Sequence, residues 1–156
     1  MVRTGKPHDL SISDYQALGQ FRYQIRRFLH FSEAAAHAED LEPQQHQMML
    51  AIRVWDQPGV PTVGDLAAYL LLKHHSAVGL VDRLAERGLV ERARGEPDHR
   101  QVRVRLTPLG LAKLRRLSSA HREELRSSGP ILVGALGALL RGLPEDGAVG
   151  YHLRKG

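Results

Sequence analysis

The chain of 156 residues contains no cysteine, and this absence removes several kinds of chemistry. Disulfide bonds, zinc sites built on thiolates and sensing by cysteine oxidation all need a thiol. The lack of cysteine also fits a reducing compartment. Aromatic residues are scarce as well: they form 5% of the chain, and Trp55 is the single tryptophan.

Long apolar runs are also missing. No stretch approaches the ~20 consecutive apolar residues that a membrane helix needs, and the N-terminus lacks the apolar segment of a secretory signal. A Gly-rich phosphate loop is absent, and Ser118, Ser119 and His121 are only neighbours in sequence, not a convergent catalytic set. We therefore expect a soluble, cytoplasmic protein that is not an enzyme and uses no cofactor.

Positive charge is what the chain has in excess, with 22 Lys and Arg against 17 Asp and Glu and a net charge of +5. Residues 73–107 alone carry eight Lys or Arg against five Asp or Glu. Such a balance favours a polyanionic partner such as nucleic acid, although it says nothing about fold. The length predicts one domain, since domains commonly have about 100–200 residues.

The spacing of apolar residues predicts a mainly α-helical first half. From Asp14 to about Ala38 they recur at three- and four-residue steps, and Ser11 or Ser13 suits the N-cap. Pro43 suits the first turn of a second helix, which must end before the two prolines and the glycine of residues 58–61.

Two short helices are predicted next. Thr62 and Asp65 have the spacing of a capping box at the start of the first. Gly88 suits the left-handed position that follows the end of the second short helix. The second helix has apolar residues at i, i+3, i+4 and i+7, namely Ala77, Leu80, Val81 and Leu84. Two short helices joined by a turn of three or four residues form a helix-turn-helix.

A β-hairpin and further helices complete the predicted order. Residues 89–94 and 101–106 have strand patterns, and residues 95–100 have the composition of a turn. Thr107 and Pro108 predict a helix start. Residues 128–130, Ser-Gly-Pro, predict the end of that helix, so that residues 131–140 form a separate apolar helix in which Gly134 and Gly137 allow close contact. The fold class is therefore mainly α with a small β-hairpin, the order of a winged helix-turn-helix.

The second short helix has the composition of a DNA recognition helix. Its outer face offers small or polar residues such as His75, Ser76 and Gly79, which suit the major groove, ~12 Å wide. Arg94 and Arg100 flank the hairpin tip and would reach phosphates or the minor groove. An interpretation without DNA also stays open, in which Gly79 is a neutral surface glycine and the strand residues Arg103 and Arg105 are ordinary solvated side chains.

Four motifs resemble the MarR family of bacterial regulators in order and spacing. They are Val81-Asp82-Arg83-Leu84, Gly88-Leu89-Val90-Glu91-Arg92, Asp98-His99-Arg100 and Leu106-Thr107-Pro108-Leu109-Gly110. The resemblance spans residues 14–141 and departs from the family at residues 71–75, which are apolar and then rich in histidine, and at Glu42, which stands in place of the usual hydroxyl cap.

The resemblance implies a homodimer on double-stranded DNA with an inverted-repeat operator, acting as a repressor. It implies a helical dimerisation region at residues 1–40 and 108–156, intertwined with a DNA-binding region at residues 41–107. The residues expected to contact DNA are, in the recognition helix, His74, His75, Ser76, Gly79 and Arg83, and, in the wing, Arg94, Asp98, His99 and Arg100.

The resemblance also implies release of DNA by a small phenolic or aromatic acid. Arg26, His30 and Trp55 would line its site as a cation, an imidazole and an aromatic wall. A plain core role for Trp55 and a solvated role for Arg26 stay open. We expect no metal site, because His30 and His37 are only two ligands on one helix and zinc needs three or four. The alternative function is a winged helix that binds nucleoid DNA without sequence preference or binds protein.

Overall fold

The computed structural model describes residues 10–55, 58–94 and 101–141. The described elements are, in chain order, α1 (Ile12–Ala38), α2 (Pro43–Arg53), α3 (Val63–Tyr69), α4 (His74–Glu86), β1 (Val90–Arg94), β2 (Val102–Leu106) and α5 (Pro108–Arg141). This order confirms the predicted mainly α fold with a β-hairpin.

Side-chain caps set the helix starts as the sequence predicts. The hydroxyl of Ser11 accepts from the N–H of Asp14, and the Asp14 carboxylate accepts from the N–H of Ser11. These contacts lower the pKa of Asp14, the side-chain hydrogen bond from Ser11 most. At α3 the hydroxyl of Thr62 accepts from the N–H of Asp65 at 3.1 Å, and the N–H of Thr62 donates to the Asp65 carboxylate at 2.8 Å. Both helices therefore begin with reciprocal capping.

The strands β1 and β2 pair in antiparallel register, with Val90 opposite Leu106 and Arg94 opposite Val102. A further bridge joins Thr62 to Arg103 on the other edge of β2, and the N–H of Val104 donates to the carbonyl of Pro61 at 3.0 Å. The segment that leads into α3 therefore binds the edge of β2 that faces away from β1. Sequence spacing did not predict this contact.

One prediction about α5 is wrong. The helix runs through Pro130 without a break, from Pro108 to Arg141, and residues 131–140 are not a separate helix. A proline inside a helix removes one hydrogen bond and crowds the preceding turn. The hydrogen bonds of the turns on both sides remain, so this local penalty does not end a helix of 34 residues.

The chain divides into two units, and α1 and α5 each contribute to both. One unit comprises Met1–Phe28 with Ser127–Gly156, and the other comprises Leu29–Arg126. The second unit contains the main core, built from α2, α3, α4, the hairpin and the first turns of α5. Its largest fully buried side chains are Leu41, Met48, Met49, Leu66, Leu80, Leu84, Leu89, Leu117, Val81 and Val104.

Candidate nucleic-acid interface

Helix α4 is fixed by one buried face, which sets what its other face presents. Ala77, Leu80, Val81 and Leu84 are all buried, as their spacing predicts. After the last turn, Gly88 adopts a φ of +67°, a left-handed conformation that favours glycine. The buried stripe therefore fixes the orientation of α4 about its own axis, and with it the residues that face outwards.

The outer face of α4 carries the predicted recognition residues. His74, His75 and Arg83 are exposed, whereas Ser76 and Gly79 are half-buried. The guanidinium Nη1 of Arg83 lies 3.4 Å from the point that a Cβ on Gly79 would occupy. Arg83 therefore extends back along the helix over Gly79.

Ion pairs and hydrogen bonds tie the hairpin to its neighbours. Arg92 on β1 pairs with Asp82 on α4. Arg103 on β2 donates to the carbonyl of Val60 at 2.7 Å and is half-buried, whereas Arg105 is exposed. Arg92 and Arg103 thus hold the hairpin in place, and Arg103 is not the solvated strand residue that its alternation with Val102 and Val104 suggested.

The predicted contacts at the wing tip cannot be placed. Asp98, His99 and Arg100 lie outside the described residues, and Arg94 ends β1 with its side chain outside them. Their roles remain predictions from the sequence.

Two pockets lie in the unit formed by residues 29–126. The first, of about 270 Å³, lies between the start of α3, α4 and the hairpin, and its lining includes His74, Val78 and Arg92. The second, of about 300 Å³, is lined by Trp55 together with Arg53 and Arg105 and by apolar residues of α2, β2 and α5.

The three residues expected to line an effector site fall in different surroundings. Trp55 lines the second pocket, and its indole Nε1 is buried without a hydrogen-bond partner among the described residues. Arg26 and His30 are exposed on α1 and are not among the residues that line this pocket. Arg53 and Arg105 supply the cations beside Trp55 instead, and no spacing in the sequence connects these three residues.

A buried histidine cluster lies where α1, α2 and α5 meet in the same unit. The Nδ1–H of His121 donates to the carbonyl of Leu117 at 2.7 Å, and its Nε2 lies 2.8 Å from the hydroxyl of Ser32. The ring of His46 contacts that of His121 in a tilted arrangement, with 4.9 Å between the centroids and 46° between the planes. His46 is only 4% exposed, and its Nδ1 has no hydrogen-bond partner in the part of the chain that the structure describes. Burial lowers the pKa of His46, and the neighbouring His121 lowers it further.

Acid should therefore destabilise this unit through His46. A histidine whose pKa is lower in the folded state than its ordinary value of 6.5 takes up its proton more readily when unfolded. Stability is thus present above pH 6.5 and falls as the pH drops below it, by at most about 1.4 kcal/mol per pH unit for one group. Denaturant midpoints at pH 7.5, 6.5 and 5.5 measure this slope.

The variant His46→Gln should flatten the slope, because glutamine stays neutral over this range. His75→Gln is the matched control, since His75 is exposed on α4. Equal slopes in the wild type and in His46→Gln would refute the role of His46.

Three further statements hold for the described ranges. No group of three or more His, Asp or Glu side chains in residues 10–55, 58–94 and 101–141 is arranged to hold a metal ion. No helix in these ranges is both long and apolar enough to cross a membrane. Two surface residues before α4, Tyr69 and Leu71, are large, apolar and exposed.

A helix-turn-helix that leads into a two-stranded hairpin defines a winged helix-turn-helix protein. Residues 39–101 match the family model described as MarR family. This match confirms the resemblance that the four motifs indicate, and it covers α2, α3, α4 and β1. A search of curated proteins gave no match.

Solved structures of MarR regulators share the fold. AbsC, a MarR family transcriptional regulator from Streptomyces coelicolor, is similar with a TM-score of 0.68 and 19% identity, over 88% of this chain and all of the other. A MepR mutant of S. aureus, bound to an oligodeoxyribonucleotide, has a TM-score of 0.64 and 19% identity, over 83% of this chain and 98% of the other. BpsR of Bordetella bronchiseptica, whose DNA binding is regulated by 6-hydroxynicotinic acid, has a TM-score of 0.60 and 21% identity, over 88% and 96%.

Proposed function

We propose that this protein is a sequence-specific DNA-binding transcriptional regulator that acts as a homodimer on an inverted-repeat operator. The observation that carries the proposal is the arrangement of α4, whose apolar stripe from Ala77 to Leu84 is buried while the N-cap Lys73 and the helix residues His74, His75 and Arg83 are exposed. A helix held in this way offers cations and hydrogen-bond donors to the major groove. A MepR mutant of the same fold is bound to an oligodeoxyribonucleotide in its structure, which supports the proposal.

The wing completes the proposed contact. The ion pair between Arg92 and Asp82 holds β1 beside α4, the proposed recognition helix. Arg94 is the last residue of this strand, and residues 95–100, which include Arg100, follow it in the chain. We assign these two arginines and His99 to the sugar–phosphate backbone or the minor groove next to the major groove that α4 enters. We assign Asp98 to the wing as the carboxylate that pairs with Arg100 and orients it.

Selection of genomic fragments tests the proposal. Fragments that the protein retains in the presence of excess competitor DNA should share a palindrome, and a footprint should protect two half-sites about 10–10.5 bp apart on one face of the duplex. Retention without any shared sequence would instead support a winged helix that packs DNA non-specifically, and retention of no DNA would support a protein-binding module. Salt dependence does not separate these cases, since every phosphate contact produces it.

Arg83→Ala should weaken operator binding by about 1–3 kcal/mol, which is about five- to 150-fold, and relax the preference at one base position. The reason is that Arg83 is exposed, makes no ion pair with any described residue, and extends along the outer face of α4. Fluorescence anisotropy on the selected duplex and on single-base variants measures both effects.

Arg115→Ala is the control for this substitution. Arg115 is exposed on α5 and its loss changes the net charge by the same amount. An equal loss of affinity in the two variants would mean that Arg83 acts only through general charge, and the recognition role would then be wrong.

We further propose that the protein is a repressor released from DNA by a small aromatic acid. Three features of the second pocket support this: the indole wall of Trp55 and the two guanidinium groups of Arg53 and Arg105, which attract a carboxylate. BpsR, which has the same fold, is regulated by such an acid. Repeating the fragment selection with 6-hydroxynicotinic acid tests release, and quenching of the single tryptophan reports occupancy of this pocket directly. Arg26 and His30 do not line this pocket, and their part in effector binding stays a prediction from the sequence.

A further inference from the structure

Three helices in this fold end with the same backbone motif. In each, the residue after the helix cap has a positive φ, and the next N–H donates to the carbonyl five residues earlier, at 2.9 Å in all three. The residue with positive φ is Asp40 after α1, Leu71 after α3 and Gly88 after α4. Glycine suits this left-handed conformation and aspartate tolerates it, whereas leucine rarely adopts it.

The side chain of Leu71 does not pack against the rest of the fold. It is 93% exposed, more than any other large apolar side chain in the described residues. Its neighbours Leu70 and Leu72 pack against the core. At position 71 the backbone favours glycine and the surroundings favour a polar residue, so the leucine is unfavourable to folding on both counts.

The position of Leu71 indicates which molecule covers it. It lies two residues before Lys73, the N-cap of α4, and Lys73, His74 and His75 are exposed beside it. This surface joins one apolar side chain to a group of cations and imidazoles, a combination that complements duplex DNA better than an apolar protein surface. In helix-turn-helix proteins the N-terminal end of the recognition helix reaches the base edges.

We propose that Leu71 is a specificity-determining residue whose methyl groups contact the 5-methyl group of a thymine at the edge of the major groove. Leucine has no hydrogen-bonding group in its side chain, and the thymine methyl is the one apolar group that a base edge presents in this groove. The proposal rests on the proposed function, because it requires that α4 enters the major groove.

The variant Leu71→Gly tests the proposal because affinity should fall without any loss of stability. Glycine relieves the left-handed backbone and removes a side chain that buries nothing, so we expect the melting temperature to stay level or rise by up to about 3 °C. Affinity for the most enriched duplex of the genomic selection should fall about tenfold, the effect of exposing part of a leucine to water. Leu71→Asn, which also tolerates positive φ, should behave like Leu71→Gly.

Replacing thymine by uracil in the same duplex removes only the methyl group. The wild type should lose about the same factor on uracil DNA as Leu71→Gly loses on thymine DNA, and the variant should not distinguish the two duplexes. Leu109→Ala is the control, because Leu109 is also an exposed leucine but lies in the first turn of α5. It should leave affinity and the response to uracil unchanged.

Other outcomes overturn the proposal in separable ways. Unchanged affinity of Leu71→Gly, or a fall in both stability and affinity, would show that Leu71 does not contact DNA. A loss of affinity in Leu71→Gly with no effect of uracil on the wild type would move the contact to the deoxyribose and refute the thymine assignment. If the wild type binds neither duplex, the proposed function fails, and this inference fails with it.

Discussion

Gly110→Ala should lower the stability of the protein by about 3 kcal/mol or more, the upper end for overpacking in a core. A Cβ at this position would lie 2.0 Å from the carbonyl oxygen of Leu89 and 3.0 Å from its carbonyl carbon. Both contacts are with backbone, so no side chain can move aside. At 2–4 °C for each kcal/mol, the melting temperature should fall by about 6–12 °C.

The same substitution should also weaken DNA binding, because Gly110 lies at the joint between α5 and the end of α4. The hydroxyl of Thr107 accepts from the N–H of Gly110 at 3.0 Å and donates to the carbonyl of Gly88 at 2.7 Å. The carbonyl of Leu89 also accepts from the N–H of Thr107 at 3.1 Å. Separating Gly110 from Leu89 breaks this set of hydrogen bonds and shifts α4 relative to the hairpin.

Gly64→Ala is the control for this prediction. A Cβ on Gly64 would lie no closer than 3.6 Å to any atom outside its neighbours, which is an ordinary contact, and the residue is in α3. Alanine there should stabilise by up to about 1 kcal/mol through helix propensity. Thermal unfolding of the two variants should move in opposite directions, and equal melting temperatures would show that the first turn of α5 does not pack on Leu89.

The winged helix-turn-helix could be predicted from sequence because its signals are local. The capping box of Thr62 and Asp65, the stripe from Ala77 to Leu84 and the left-handed Gly88 each depend on residues within a few positions of one another. All of them appear in the structure as expected. Local propensity, apolar periodicity and turn chemistry agree in this segment, which is the condition for a confident prediction.

Contacts between distant parts of the chain were not predictable in the same way. The hydrogen bond from Arg103 to Val60 and the ring contact between His46 and His121 join residues 43 and 75 positions apart, and no periodicity encodes such pairs. The continuous α5 shows a different limit, since Pro130 is a strong local signal that the rest of a long helix overrides. The exposure of Leu71 is a third case, because an apolar run in sequence predicts burial.

The candidate site shows the same contrast between local signals and contacts made by distant parts of the chain. The outer face of α4 followed from periodicity, and the structure places His74, His75 and Arg83 on the surface. The expected effector residues did not share a common pattern, and only Trp55 lines a pocket with cations. A helical face is fixed by its own sequence, whereas a pocket is fixed by elements that meet only after folding.

Val133→Glu should convert a dimer into monomers and reduce operator affinity about 100-fold or more. The described residues of the unit formed by residues 1–28 and 127–156 expose many large apolar side chains: Leu10, Ile12, Tyr15, Leu18, Tyr23, Ile131, Val133, Leu136 and Leu140. Exposing an apolar surface of this size to water is unfavourable, and such surfaces commonly mark the sites where proteins bind a partner. We assign it to a second copy of the chain, which the proposed palindrome requires.

Val133 is the informative position because it is 68% exposed. A glutamate there meets open solvent in an isolated chain and should not disturb its fold. In a two-fold interface between two copies, the glutamates of both copies would be buried without a cation to pair with, which is strongly unfavourable. The loss of affinity follows because two linked recognition helices bind with an advantage of about 10²–10⁴ over one.

Sedimentation velocity and anisotropy titration measure the two effects, and Ser119→Glu is the control. Ser119 is exposed on the same helix but belongs to the unit of residues 29–126, and its substitution adds an identical charge. It should stay dimeric and bind DNA nearly as the wild type does. Dimers of normal affinity for Val133→Glu would place the interface elsewhere. A wild type that sediments as a monomer and protects only one half-site would refute the dimer, because one α4 cannot occupy two half-sites a helical turn apart.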